Sequence, residues 1–174
     1  MLALLTAIAF AGDTFVFLAS DNLINQDGVS PNFVVYTETP FAKHWSFSTY
    51  SGVGVTYSQA YIGPVWKPND DLSLGVSGGL ESAPTLWRVA ASALYIKKGF
   101  QGLLILEHGG TGPWYRVDLT EKVGIVRFGF LARRYNGIGG RIGVVTDHFE
   151  ALVAPLYDLE ADRPNLLVVL SWTP

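Results

Sequence analysis

The chain has 174 residues, 49% of them apolar and 16% charged, with a net charge of −3. That length fits one domain, the mild charge and lack of a basic block argue against a nucleic-acid partner, and the absence of cysteine excludes a disulfide scaffold and thiolate metal sites. Mean hydropathy is +0.26, high for a soluble strand-rich chain, yet no stretch reaches the roughly 20 consecutive apolar residues that a spanning helix needs.

Residues 2–10 form a short apolar run, and Ala9-Phe10-Ala11 matches the small-x-small cleavage pattern. Residues 1–11 therefore read as a signal peptide, although no basic residue precedes the run, and 12–174 as one domain; the alternative is a buried first strand or short helix. Beyond this point helical periodicity is nearly absent. Alternating runs of roughly 7–12 residues are separated by turn signals, with Gly and Pro spread along the chain as punctuation. They predict strands at 14–21, 32–39, 44–50, 55–66, 71–80, 86–96, 100–107, 114–119, 123–133, 138–146, 149–157 and 165–172. Merging the weak early strands would leave ten, but single-chain membrane barrels carry even numbers, and twelve is the better fit.

The run at 71–80 is the clearest. Leu72, Leu74, Val76, Gly78 and Leu80 fall on one face of an extended strand, and Ser73, Gly75, Ser77 and Gly79 on the other. The same two-faced pattern continues. Trp87, Val89, Ala91, Ala93 and Tyr95 oppose Arg88, Ala90 and Ser92. Tyr115, Val117 and Leu119 oppose Trp114, Arg116 and Asp118. Val126, Phe128, Phe130 and Ala132 oppose Arg127, Gly129 and Arg133, and Ile138, Ile142 and Val144 oppose Arg141. This predicts a closed antiparallel up-and-down barrel of about twelve strands.

Three features put the oily face outside, in lipid. Aromatic residues gather near strand ends, where Trp66, Trp87, Tyr95, Tyr115, Tyr157 and Trp172 fit interfacial girdles. All five lysines, Lys43, Lys67, Lys97, Lys98 and Lys122, fall in alternate connections and so on one rim, which becomes the periplasmic rim if the N-terminus lies there. A ring of twelve strands is also too wide for apolar side chains to fill well. The opposite rim is expected to carry the longest connection, 22–31. An oily interior, in a soluble exported barrel that binds an apolar ligand, is the alternative.

With Ala9-Phe10-Ala11, the alternation at 71–80, the Trp87–Tyr95 stripe and a last strand ending near Trp172, the chain resembles the outer-membrane β-barrel proteins of Gram-negative bacteria over residues 14–172. The resemblance implies export, a lipid bilayer as partner and residence in the bacterial outer membrane. Members commonly end in an aromatic residue; here Thr173 and Pro174 follow Trp172.

The candidate functional region is the lumen. Arg88, Arg116, Arg127, Arg133 and Arg141, with Glu107, Asp118 and Glu150, are the solute-contacting candidates, and Glu38 and Gln59 are also expected inside. One reading is an arginine ladder that passes or binds small polar or anionic solutes in a porin-like way. The other is a salt-bridge network that closes the barrel, leaving a non-transporting protein used for structure or interactions. A third, enzymatic reading makes His108 a general base oriented by Glu107 or Asp118. Outer-membrane lipid hydrolases place a serine two residues after the histidine; here that position is Gly110, which argues against catalysis. Asp147-His148-Phe149-Glu150 lacks the convergent ligands of a metal site, and no cofactor motif appears: Asn136-Gly137 reads as a hairpin turn.

Overall fold

The computed structural model describes residues 14–174; the expected signal peptide at 1–11 lies outside them. Twelve strands follow in chain order: β1 (Phe15–Asn25), β2 (Gly28–Ala42), β3 (Trp45–Gly54), β4 (Ser58–Asn69), β5 (Leu72–Glu81), β6 (Trp87–Lys97), β7 (Phe100–Gly109), β8 (Gly112–Val123), β9 (Val126–Arg133), β10 (Gly137–Val145), β11 (Phe149–Asp158) and β12 (Arg163–Trp172). Each pairs antiparallel with the next, and β1 pairs with β12, so the sheet closes into a meander barrel with no free edge. Closure matters in lipid, because every backbone polar group then has a partner.

The twelve expected strands all appear, but several boundaries move. Residues 22–31 are not a loop. The β1–β2 ladder runs to Asn25↔Gly28 around a two-residue turn, in which Asn25 Oδ1 accepts the Asp27 N–H at 2.8 Å and Gly28 takes φ 122°, a conformation glycine adopts without a side-chain clash. Residues 55–57 were expected within a strand and instead connect β3 to β4, held by a Gly54 N–H to Tyr57 carbonyl bond of 2.8 Å. The turn expected at 120–122 lies further on: β8 reaches Val123, and Gly124 turns the chain at φ 60°.

The pairing registers put one parity of every strand inside. Tyr36 faces Tyr50, which faces Tyr61; Arg116 faces Arg133; Glu150 faces Ser171. The outward parity carries exposed Phe33, Ile62, Val76, Leu104, Phe128, Ile142, Val153 and Leu170. An apolar band running round a barrel requires a non-aqueous surrounding. The interior is mostly polar, with one apolar patch of Leu131, Ala154, Leu156 and Leu167 packed together on the β9–β12 wall. Inward glycines allow tight closure. A Cβ on Gly79 would lie 1.9 Å from the Ala60 carbonyl oxygen, and one on Gly129 would lie 2.0 Å from that of Leu119.

Candidate functional site

All eight sequence-derived lumen candidates lie on the inner wall, and each arginine there meets a carboxylate. Near the rim away from the termini, Arg88 is clamped between two acids. Its Nη1 donates to Glu81 at 2.8 Å and its Nε to Glu107 at 2.9 Å. The hydroxyls of Tyr57 and Tyr61 donate to the same carboxylates, at 2.5 Å and 2.8 Å. The Thr111 N–H donates to Glu81 at 3.0 Å, tying the β7–β8 turn inward. Burial first, and the bond to Glu81 second, hold the Tyr57 phenol above the ordinary tyrosine range.

Arg133 donates to Asp21 at 2.8 Å, and its guanidinium lies 5.8 Å from the centre of the Trp114 ring. Deeper in, Asp118 accepts from both Arg116, at 2.9 Å, and Arg141. Arg141 reaches Glu150 at 2.9 Å, and Arg127 bonds Gln101 at 2.8 Å with Glu150 3.7 Å away. Lys67 pairs with Glu38 towards the terminal rim, at 2.5 Å. This layer is densely paired and only partly accessible to solvent. Asp118 and Arg141 are only 6% exposed at the side chain, whereas Arg116 keeps 27% and Arg127 17%.

Above this constriction a vestibule of about 510 Å³ opens between the connections of the rim opposite the termini. Its wall includes Tyr50, Tyr57, Trp114 and Tyr135, the amides Asn32, Gln59 and Asn136, and the pairs Asp21–Arg133 and Glu107–Arg88. Asp21, Tyr57, Tyr61 and Glu81 belong to this network and escaped the sequence reading. Glu81 had a usable signal, because it continues the inward parity of Ser73, Gly75, Ser77 and Gly79. Trp114, which shares the parity of Arg116, is on the inner wall and lines the vestibule.

The six girdle candidates all face outward near strand ends and form two belts. Trp66, Tyr95 and Trp172 lie towards the terminal rim; Trp87, Tyr115 and Tyr157 lie towards the opposite one. The belts contain further pairs: Trp45 lies 6.4 Å from Trp66, and Phe100 lies 6.2 Å from Tyr95. His108 belongs to the outer belt, its ring 5.9 Å from Trp87. Glu107 and Asp118 point into the lumen, on the other face of the sheet, so neither orients His108. Nδ1 of His148 bonds the Thr173 carbonyl at 3.1 Å, and His44 bonds the Lys67 carbonyl at 2.9 Å, both at the terminal rim.

No family model and no curated sequence matches the chain. Solved structures do. The KdgM porin superposes with a TM-score of 0.61 at 10% identity, covering 90% of this chain and 98% of that one. The KdgM porin in complex with disordered oligogalacturonate gives 0.65 at 11% identity with the same coverage. A mutant of the Rh. blastica porin gives 0.50 at 9% identity, covering 93% and 99%. The chain has the fold of the outer-membrane porins: a membrane-spanning, closed, all-antiparallel barrel.

Proposed function

We propose that the protein is a porin-like channel of the bacterial outer membrane that admits small polar solutes through the vestibule and past the Arg116–Asp118–Arg141 constriction. The observation that carries this reading is the charged, largely polar inner wall within an apolar exterior. A barrel needed only as an anchor gains nothing from a vestibule walled by charged and polar side chains. The fold of the KdgM porin supports it, and that protein's complex with oligogalacturonate supports small anionic solutes as one class to test here. Against strong anion selectivity stands the pairing of every lumen arginine with a carboxylate, because paired charges lose long-range steering power. The low exposure of Asp118 and Arg141 favours one further reading, a sealed barrel without transport.

Planar-bilayer recording separates the two. A channel gives discrete conductance steps, and Arg141→Ala, which removes a cation and bulk from the constriction, raises the step size and moves the reversal potential in a KCl gradient towards cations. The channel reading fails if heat-modifiable, correctly inserted protein gives no steps, whether wild type or variant.

A further inference from the structure

The vestibule has a composition unlike that of an ion trap. Two cations, Arg88 and Arg133, meet two anions, Glu107 and Asp21, at 2.9 Å and 2.8 Å. Glu81, 2.8 Å from Arg88 Nη1, adds a third carboxylate just behind the wall, so the site has no surplus positive charge, and an anion could engage either guanidinium only by competing with a carboxylate already bound to it. Disrupting a buried pair of that kind is costly. What remains available is aromatic surface and neutral hydrogen bonding. Trp114, Tyr57 and Tyr135 line the wall, with the Arg133 guanidinium 5.8 Å from the Trp114 ring centre, and Asn32 and Asn136 line the same space. The volume of about 510 Å³ falls within the roughly 300–1,000 Å³ of small-molecule sites, in which apolar walls supply contact and a few polar groups supply orientation.

We infer that this vestibule is a binding site for an uncharged saccharide, one ring lying against Trp114 with its hydroxyls on Asn32, Asn136 and the outer oxygens of the Asp21–Arg133 pair. A sugar ring is suited to such a wall. Its C–H face packs on an aromatic plane, and its hydroxyls donate to carboxylates and accept from guanidinium and amide N–H groups without separating an ion pair. A carboxylated sugar would bring the same ring but add a charge that the balanced wall does not attract.

The inference rests on the channel reading for its biological sense, but its test does not need conduction. Isothermal titration of the detergent-solubilised barrel with maltotriose, cellotriose and tri-galacturonate measures the site directly. At least one neutral trisaccharide is expected to bind with a Kd of millimolar or tighter, and tri-galacturonate at least tenfold more weakly at the same ionic strength. Trp114→Ala is expected to weaken the neutral sugar about tenfold. Should Trp114→Ala lose heat-modifiable migration, Tyr135→Ala, at an exposed turn position, is the second variant and is expected to weaken it severalfold. Lack of binding by both neutral sugars, tighter binding of tri-galacturonate, or affinity indifferent to both variants overturns the proposal. Binding without bilayer conductance would retain the site and remove the channel.

Discussion

Replacing Arg88 with methionine probes the clamp at the vestibule wall, and its cost follows from what the guanidinium touches. Arg88 is 2% exposed at the side chain, Glu81 0% and Glu107 7%. Methionine keeps much of the apolar volume and removes the charge, leaving two carboxylates facing one another out of water. Breaking one side of a buried pair costs about 3–5 kcal/mol. Here Tyr57, Tyr61 and Thr111 go on donating to the stranded acids, so the lower end, about 3 kcal/mol, is expected. That is a large share of the roughly 5–15 kcal/mol a typical fold has in total. Guanidinium unfolding of the barrel refolded into vesicles, at fixed salt, reads the loss. Glu107→Gln and the double variant complete a cycle, in which the double is expected to lose less than the sum of the singles, because removing both charges relieves the repulsion. A deficit under about 1 kcal/mol, or additive singles, would refute the clamp as a coupled unit.

The outward direction of the apolar face is tested by charge placed at two depths. Val76→Arg, central on the outer wall of β5 and 60% exposed, is expected to cost about 2–4 kcal/mol in vesicles, and Leu80→Arg, near the rim, about 0–1 kcal/mol; equal small effects would mean that the band does not face lipid. Gly129→Ala forces a Cβ to within 2.0 Å of the Leu119 carbonyl, so strands β8 and β9 must part, and a loss of about 1–3 kcal/mol is expected on the same assay. An unperturbed variant would show that closure tolerates more slack than the backbone approach implies.

The sequence carried the architecture because a barrel wall uses the simplest period there is. Leu72 to Leu80 alternate without a fault, and so do Trp87 to Tyr95, and each such run declares both a strand and its two faces. Confining lysine to alternate connections also distinguished the rims, with Lys43 and Lys67 at one end and Glu81 and Thr111 at the other. Strand ends were less legible, because a residue such as Asn22 or Glu81 has turn chemistry as well as a place in the alternation, and only the partner strand decides which prevails. The lumen candidates share the inward parity, but their contacts were not legible. Arg88 and Glu107 could be placed inside, yet nothing local to either shows that Glu81 and Tyr57, from two other stretches of the chain, meet them. Those contacts depend on how far each strand is staggered around the ring. The alternative in which Glu107 orients His108 fails for the opposite reason: adjacent residues along a strand face opposite sides of the sheet.

Reversing inside and outside changes what the ion pairs contribute. In a water-soluble core, a buried pair competes with apolar packing and often loses to it. Here the apolar residues are turned to the outer face, so arginine and carboxylate bridge strands across a space that hydrocarbon side chains would fill poorly. Five arginines and Lys67 meet Asp21, Glu38, Glu81, Glu107, Asp118 and Glu150, which leaves the ring neutral. A neutral ring cannot select solutes by its overall field. If the barrel conducts as proposed, selection must come from the aromatic and amide groups of the vestibule, which act at contact distance on the solute's shape and hydroxyl pattern rather than on its charge.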